Sequence, residues 1–380
     1  MKNELLNFVS KAIQIPSYSD QEEKMAHFIY DEMVKLGYDD VMIDTTGNVI
    51  GKMGNGAKII QFDSHMDTVE VNDGDLWQEP PFSGKIVNGV LWGRGSVDMK
   101  SALGASIYAV KLAKDKGYLK DKTVYVTATV CEEYCDGVNL QHLYQELNIR
   151  PDYCIICEPS NNIITLGHKG KAQIRITTHG VSAHGSAPEK GKNAIYEMAE
   201  IIERVEKLNN QLNQTGSQHG TIVLSNISSI SASLNAVPSE CSIYLDRRLA
   251  LNESLKQVAT EMEQLIAEKD ASWEVGKLSH TSWKGEKLEY IPMHEPWIIE
   301  KDHPLTKALS KAYTNVYHHE PEKFDFWDFG TNAITPVSMN IPTIGFGPGD
   351  YKLAHMQNEH IEITQIEEAC LVYSELIKEL

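Results

Sequence analysis

A histidine and five carboxylates stand where predicted strands end or turn into helices, so they could share one site. His65 and Asp67 follow the apolar run 59–62, and they face the same side because side chains alternate along a strand. In open α/β sheets, ligands bind beyond the carboxyl ends of the strands. Three strand ends and one glycine-rich turn bring the following residues to this edge: His65, Asp67, Asp98, Glu132, Glu133 and Glu158.

These residue types suit a pair of divalent cations. Histidines and carboxylates without a thiolate are ligands for zinc, cobalt or manganese, and one carboxylate can bridge two ions about 3.5–4 Å apart. Asp98, presented alone by a tight turn, is the predicted bridge. Since neighbouring residues on a strand point to opposite sides, Glu132 and Glu133 are expected to divide their roles between metal and water. Crowded carboxylates repel each other unless cations neutralise them, which also favours a metal site.

The elements that must position these residues are predicted from hydrophobic periodicity. The sequence SDQE at 19–22 is a capping box, which predicts the start of a helix. Up to residue 170, helices are predicted at 3–13, from the capping box to about 36, and from the end of the glycine-rich turn at 93–100 to about 116. Strands are predicted at 41–43, 48–52, 59–65, 84–92, 123–130 and 152–157.

From about residue 171, the predicted strands alternate apolar and polar residues, which is typical of an antiparallel sheet with one wet face. The order strand–helix–strand–strand–helix–strand indicates a small α+β insert. Its strands are predicted at 172–178, 221–225, 239–247 and 272–278, its helices at 193–208 and 253–268, and a loop at 209–218. The chain is expected to return to the first unit near 289–296, with a helix at 304–317, a strand at 342–345 and a last helix from 364.

The composition limits the class of protein. A length of 380 residues favours two domains. Lysine and arginine number 35 against 53 acidic residues, and the net charge of −18 disfavours nucleic acid and anionic membranes, because phosphate groups bind to basic surfaces. The sequence has no apolar run of about 18 residues and no apolar segment behind its charged N-terminus. We therefore expect a cytoplasmic protein without a membrane span or signal peptide.

Three motifs suggest other chemistry, and each is disfavoured. The six cysteines are scattered through apolar segments, which indicates reduced thiols. The CxxC at 154–157 has redox spacing but lies in a predicted strand. A four-cysteine zinc site with Cys131 and Cys135 is disfavoured by the better ligands nearby. The GRG at 93–95 lacks the third glycine of a dinucleotide fingerprint, since Asp98 takes its place.

Several motifs occur together and in order along the whole chain: HMDTV at 65–69, GRG at 93–95 with DMK at 98–100, EE at 132–133, EP at 158–159 and GVSAHGS at 180–186 with Pro188. Their combination resembles the dizinc family of aminoacylase, acetylornithine deacetylase, succinyl-diaminopimelate desuccinylase and glutamate carboxypeptidase, and also a bacterial branch of selenium-metabolism-linked hydrolases. The resemblance implies a zinc-peptidase-like α/β/α catalytic domain, residues 1–170 and 292–380, with an inserted ferredoxin-like α+β lid and dimerisation domain, residues 171–291.

The resemblance also implies the metal ligands. One ion would be held by His65, Asp98 and Glu158, and the other by Asp98, Glu133 and His355. The ions would be zinc, with cobalt or manganese as alternatives. At the position of Glu158, members of this family have either glutamate or aspartate. Glutamate there accompanies deacylases and carboxypeptidases, whereas aspartate accompanies aminopeptidases.

The same resemblance assigns the catalytic residues. The carboxylate of Asp67 would orient His65 from behind. Glu132 would be the general base, which takes a proton from the attacking water and passes it to the leaving amine. His184 would stabilise the oxyanion, reaching across a homodimer into the active site of the partner.

Three residues are expected to bind substrate. DRR at 246–248 resembles the family's Asp-x-Arg, so Arg248 would bind a substrate carboxylate, with a surface arginine as the alternative. GTN at 330–332 resembles the family's substrate-binding loop and singles out Gly330 and Asn332. For Asn332, an ordinary turn residue is the alternative.

The resulting prediction is a metal-dependent hydrolase that cleaves the amide bond of an N-acyl amino acid or a related small amide bearing a carboxylate. One rival is an exopeptidase for dipeptides or tripeptides, which needs a group for a free α-amine that we do not find in the sequence. A rival of another class is a metal-binding scaffold without activity, against which the intact Glu132 and His184 argue. Residue spacing does not encode the acyl group, the side chain of the substrate or the metal in the cell.

Overall fold

The computed structural model of the chain describes residues 1–214 and 219–380. Its first part combines helices and strands. The helices there are α1 (Lys2–Ile13), α2 (Glu23–Lys35), α3 (Lys100–Asp115) and α4 (Val138–Leu147), and the strands are β1 (Asp40–Ile43), β2 (Val49–Gly54), β3 (Lys58–His65), β4 (Lys85–Val87), β5 (Val90–Trp92), β6 (Lys122–Thr129), β7 (Tyr153–Ile156) and β8 (Thr165–His168).

The second part begins with the strands of a smaller sheet and the two helices that pack on it. These are β9 (Gly170–His179), α5 (Ala194–Leu212), β10 (Thr221–Ile230), β11 (Glu240–Leu249), α6 (Leu255–Ile266) and β12 (Ala271–Val275). The elements that follow are β13 (Leu278–Thr281), β14 (Lys287–Tyr290), β15 (Met293–His294), β16 (Trp297–Ile298), α7 (Pro304–Tyr317), β17 (Asp325–Trp327), α8 (Ile334–Ser338), β18 (Thr343–Gly345), β19 (His360–Glu362) and α9 (Ile363–Glu379).

The larger sheet determines where the site forms. Its strand order is β1-β2-β6-β3-β7-β18-β8-β16, with β17 paired to β8. Strand β3 runs parallel to β6 and to β7, and β7 runs parallel to β18. These central strands are buried along most of their length, as is usual when both faces of a parallel sheet are covered. The carboxyl ends of β3, β6 and β7 therefore lie side by side at one edge.

The smaller sheet is antiparallel and has its own hydrophobic core. Its strand order is β10-β11-β9-β12, with β15 also paired to β9. On β9, Ala172, Ile174 and Ile176 are buried in a cluster with apolar residues of α5 and α6. The order β9, α5, β10, β11, α6, β12 is the strand–helix–strand–strand–helix–strand order of the predicted α+β insert.

The hairpin β13–β14 packs with the larger core, although sequence analysis placed it in the insert. Leu288 and Tyr290 are buried in the hydrophobic cluster of the larger sheet. Trp283, in the turn of this hairpin, donates from Nε1 to the main-chain oxygen of Gly47 at 3.3 Å. The division of the chain into two domains at residues 170 and 291 stays a prediction. The packing of this hairpin places it with the larger sheet and not with the insert.

Two helices differ from the prediction. Helix α5 continues to Leu212, so part of the predicted loop at 209–218 is helical, and residues 215–218 of that loop lie outside the described residues. Helix α4 was not predicted, although it buries Leu140, Leu143 and Tyr144 at helical spacing. This apolar spacing was the signal that could have revealed it.

The cysteines lie inside the protein. All six are free and buried. Burial raises the pKa of Cys157 to about 12, so this thiol stays protonated, which argues against a redox role for the CxxC motif. Among residues 1–214 and 219–380, we find no helix with the length and apolarity that a membrane span requires.

The central strand β3 offers a direct test of the core. Phe62 is fully buried there, and its ring lies 5.2 Å from that of Tyr373 on α9. We expect Phe62→Ala to lower the free energy of unfolding by about 3–5 kcal/mol, because it removes a ring and leaves a cavity. Urea denaturation measures this, with exposed Val34 on α2 as the control, where Val34→Ala should change stability by less than about 0.5 kcal/mol. Equal effects of the two variants would contradict the assigned core.

Candidate dinuclear metal centre

Acidic residues that follow β6 and β7 meet the end of β3 at one edge of the larger sheet. His65 is the last residue of β3, and it pairs in register with Thr129, the last residue of β6. Glu132 and Glu133 open the short turn after β6. Glu158 lies two residues beyond the end of β7. The parallel pairing of these strands thus delivers all these side chains to one place.

Asp98 lies between two groups of potential metal ligands. His65 Nε2 is 2.8 Å from Asp98 Oδ1 and 3.7 Å from Glu158 Oε1. On the other side, His355 Nε2 is 3.2 Å from Asp98 Oδ2 and 3.0 Å from Glu133 Oε1. Within each group, the possible ligand atoms lie within 4.8 Å of one another. Because the two oxygens of Asp98 face different groups, this carboxylate is placed to bridge two ions.

The turn that carries Asp98 is held by Glu359. One oxygen of Glu359 accepts from the main-chain N–H of Val97 at 2.8 Å and of Asp98 at 3.1 Å. The other oxygen accepts from Arg94 Nη1 at 2.6 Å, and both side chains of this ion pair are buried. Sequence analysis missed this role, because nothing near Glu359 in the sequence shows that it contacts a turn much earlier in the chain.

The contact between Asp67 and His65 differs from the expected one. His65 Nδ1 donates to the main-chain oxygen of Asp67 at 2.9 Å, whereas the carboxylate Oδ1 lies 3.5 Å away. The carboxylate of Asp67 accepts from the N–H groups of Glu132 and Glu133 at 3.1 and 3.2 Å, and from Ser19 Oγ at 2.7 Å. Asp67 therefore orients His65 through its main chain and fixes the acidic turn through its side chain.

The predicted capping box at 19–22 is wrong, because its residues support the site instead. Helix α2 begins at Glu23 without a side-chain cap. Ser19 donates to Asp67, and the buried Glu22 accepts from the main-chain N–H of Cys131 at 2.9 Å. Burial, assisted by the nearby charge of Asp67, raises the pKa of Glu22 to about 8.

Burial and mutual repulsion act together on the carboxylates of the site. Burial, and then the charge of Glu158, raises the pKa of Glu132 well above its usual range. Burial, and then the charge of Asp98, does the same to the pKa of Glu158. Cations bound among such carboxylates relieve this repulsion, and imidazole nitrogens with carboxylate oxygens are suitable ligands for zinc, cobalt or manganese. The donor set therefore fits two divalent cations.

A cleft opens over the two ligand groups. Phe329 and Tyr351 form an apolar part of its wall, with their rings 5.8 Å apart. Asp136 and Lys171 also line it. Sequence analysis missed all four residues. Only Asp136 had a local signal for membership of the site, because it lies three positions after the predicted ligand Glu133 in the sequence.

A model of the peptidase family M20/M25/M40 matches residues 62–379. The chain belongs to this family. The resemblance and the α/β fold class expected from the sequence are confirmed. The M20 chain is thus a metallohydrolase that acts on amide or peptide bonds, and the ligand groups on either side of Asp98 fit the dinuclear metal site that such a hydrolase needs.

Three similar proteins illustrate the range of the M20 relatives. YgeY of Escherichia coli strain K12 is 35% identical over 360 residues, which cover 94% of this chain and 89% of YgeY. An acetylornithine deacetylase of Vibrio atlanticus is 26% identical over 376 residues, which cover 96% of this chain and 93% of the deacetylase. The crystal structure of a tripeptidase from Staphylococcus aureus has a TM-score of 0.76 at 19% identity, over 100% of this chain and 98% of the tripeptidase, and it shows the shared fold alone.

Arg248 and Gly330, which were expected to bind substrate, line the cleft of the M20 chain. Side chains alternate between the two faces of β11, so only one of its two adjacent arginines can face the cleft. Arg247 is fully buried and pairs with Glu253 and Glu261, whereas Arg248 projects from the opposite face. Arg248 is therefore the arginine that a substrate could reach.

Asn332 does not line the cleft, unlike the other two residues expected to bind substrate. Its side chain is buried, donating from Nδ2 to Asp63 Oδ2 at 2.9 Å and to Thr129 Oγ1 at 3.0 Å. Its Oδ1 accepts from the N–H of Gly137 at 2.8 Å. Because these contacts occupy the whole amide, Asn332 supports the loop from behind.

His184 is not among the residues that line the cleft of its own chain. It is exposed, and its Nδ1 accepts from the N–H of Ser186 at 3.1 Å and lies 2.7 Å from the hydroxyl of that residue. This leaves Nε2 as the nitrogen that can donate. A role for His184 in the active site of a partner subunit stays a prediction.

The bridging position of Asp98 predicts that both ions depend on it. We expect Asp98→Ala to bind less than one zinc ion per chain after dialysis, whereas the wild type binds two, because both ligand groups lose a member. Elemental analysis by inductively coupled plasma mass spectrometry measures the content. Asp136→Asn is the matched control, since Asp136 lines the same cleft outside both ligand groups. One full equivalent retained by Asp98→Ala would contradict the bridge.

Proposed function

We propose that this M20 enzyme is a cytoplasmic deacylase that hydrolyses the amide bond of an N-acyl amino acid or a related small amide bearing a carboxylate. The cleft carries the proposal, because it joins the ligand groups around Asp98 to the side chain of Arg248. One substrate could place its amide at the first and its carboxylate at the second. The similarity to an acetylornithine deacetylase and the free, buried cysteines support the activity and the compartment respectively.

The chain offers ligands for two zinc ions, with cobalt or manganese as alternatives. His65, Asp98 and Glu158 would hold one ion, and Asp98, Glu133 and His355 would hold the other. When bound, such ions polarise an amide carbonyl and lower the pKa of water. Glu359 and Asp67 keep the ligands in place from behind, through the contacts to main-chain N–H groups described above.

Glu132 is the proposed general base. It lines the cleft beside the ligand groups but belongs to neither. Without metal ions, burial and then the charge of Glu158 raise its pKa, and a carboxylate placed beside a bound water can act as a general base. Glu132 would take a proton from the attacking water onto a carboxylate oxygen and deliver it to the nitrogen of the leaving amine.

The exopeptidase alternative needs an acceptor for a free α-ammonium group. Outside the two ligand groups and Glu132, Asp136 is the remaining carboxylate among the residues that line the cleft. Its Oδ2 already accepts from Lys171 Nζ at 2.9 Å and from the hydroxyl of Tyr290 at 2.8 Å. The ion pair with Lys171 offsets the charge of Asp136 and makes this carboxylate a weaker partner for a free α-ammonium group, which favours a substrate with a blocked amine.

A substrate panel separates these functions. Zinc-loaded and cobalt-loaded enzyme would be incubated with N-acyl amino acids and with unblocked dipeptides and tripeptides, and mass spectrometry would detect released amino acids. We expect release from the blocked compounds alone. Cleavage of the unblocked peptides alone would replace the deacylase by an exopeptidase, and the absence of any turnover would refute the proposed substrate class and reopen the question of substrate.

Glu132→Gln tests the mechanism. We expect the variant to keep both metal ions but to lose activity by a factor of about 10²–10⁴, because the amide cannot accept the proton. Steady-state kinetics and metal analysis would be made on the same sample. Glu133→Gln is the matched control and should lose metal as well as activity. Wild-type turnover by Glu132→Gln would refute the assigned base.

We further propose a homodimer formed through the lid. Strand β10 lies at the edge of the smaller sheet, and its residues Val223, Ile227 and Ile230 are exposed. Exposed apolar residues on an open sheet edge favour pairing with another chain. Because His184 is exposed and outside the cleft of its own chain, a second copy is the proposed recipient of its Nε2 donor.

Mixed dimers test this arrangement. His184→Ala and Glu132→Gln should each be inactive alone, but unfolding and refolding them together should restore part of the activity, because one site of a mixed dimer then has both residues. Refolding each variant separately is the control. The absence of recovery, with mixed dimers demonstrated by mass spectrometry, would show that His184 does not act across the interface.

A further inference from the structure

Two basic residues on neighbouring strands of the smaller sheet line the cleft together. Lys171 lies on β9 and Arg248 on β11, and they are direct cross-strand partners. Residues directly opposite each other in an antiparallel pair project from the same face. We propose that Lys171 acts with Arg248 to bind the carboxylate of the substrate, which rests on the proposed function in so far as that substrate carries a carboxylate.

Strand alternation places both side chains on the open face of the sheet. The adjacent residues Ala172 and Arg247 are fully buried on the other face. The side chains of Lys171 and Arg248 keep 12% and 27% of their exposure, so they are reachable but partly withdrawn from solvent. Charged hydrogen bonds are stronger in such positions than on an open surface.

Each cation is fixed by a carboxylate of its own. Lys171 Nζ donates to Asp136 Oδ2 at 2.9 Å, and the hydroxyl of Tyr290 donates to the same oxygen at 2.8 Å. Arg248 donates from Nε and Nη2 to the two oxygens of Asp246 at 2.7 and 3.1 Å. Among the described residues, no acceptor binds the remaining N–H groups of Lys171 Nζ or those of Arg248 Nη1. Both cations are therefore positioned in advance and still have donors to offer.

The arrangement favours an anion between the two cations. Like charges directly opposite on antiparallel strands repel each other, and a carboxylate that accepts from both would reverse this interaction. Most of the other carboxylates of the cleft are gathered around Asp98, where the metal ions and the amide bond of the substrate would lie. A substrate carboxylate is thus directed to the end of the cleft that holds Lys171 and Arg248.

Gly330 allows its loop to approach the same cluster closely. A Cβ atom at this position would lie 2.9 Å from Asp136 Oδ2 and 3.3 Å from His294 Nε2. His294, on β15, is the cross-strand partner of Lys171 on its other side. The glycine therefore leaves the contact between Asp136 and Lys171 undisturbed.

Binding to an enzyme that cannot turn over tests the proposal. In the zinc-loaded Glu132→Gln background, calorimetry would compare N-acetyl-L-leucine with N-acetyl-L-leucinamide, which lacks the negative charge. We expect Lys171→Met to weaken binding of the acid by roughly 10- to 100-fold, the loss typical of one charged hydrogen bond, and to leave binding of the amide unchanged. Lys171→Arg should restore most of the affinity for the acid.

Lys169→Met is the matched control. Lys169 lies two residues earlier, pairs with Asp328 at 2.7 Å and does not line the cleft, so its removal deletes the same charge elsewhere. Equal binding of acid and amide before substitution, or equal losses for both in Lys171→Met, would overturn the proposal. If the panel identifies unblocked peptides as substrates, a dipeptide and its amide become the probes. The proposed deacylase activity would then be refuted, but the binding experiment would still show whether Lys171 binds the carboxylate.

Discussion

Repulsion among the carboxylates of Asp98, Glu132, Glu133 and Glu158 shapes the candidate metal centre and the contacts that support it. These side chains meet because β3, β6 and β7 run parallel and end together. Burial removes the water that would otherwise separate their charges, and the pKa values of Glu132 and Glu158 rise accordingly. Divalent cations relieve this repulsion while the acids stay ionised, so the geometry that creates the conflict also creates the metal centre.

The ligands can serve such ions only if they are held in place. The main chain supplies much of this support, through N–H groups that donate to Glu359 and Asp67 and through the carbonyl oxygen that accepts from His65. Residues distant in sequence, such as Arg94 with Glu359, complete it. The same pattern recurs at the other end of the cleft, where Asp136 fixes Lys171. Both ends are therefore arranged before a substrate arrives, which lowers the cost of binding.

Sequence reasoning predicted the parts of this arrangement that depend on local periodicity. Apolar runs located the strands, and strand ends located His65, Glu132 and Glu158, because parallel strands share an edge. It could not predict contacts between distant segments. Ser19 donates to Asp67 instead of capping a helix. Asn332 donates to Asp63 and is buried behind the loop instead of facing the cleft. In both cases, long-range packing outweighs the local motif. Lys171 was missed because only the pairing of β9 with β11 places it beside Arg248.

The dinuclear centre can be tested directly by anomalous diffraction from zinc-loaded crystals, recorded at the zinc edge. We expect two peaks on either side of Asp98, one next to His65 and Glu158 and the other next to Glu133 and His355. A single peak, or two peaks that do not share Asp98, would contradict the dinuclear centre.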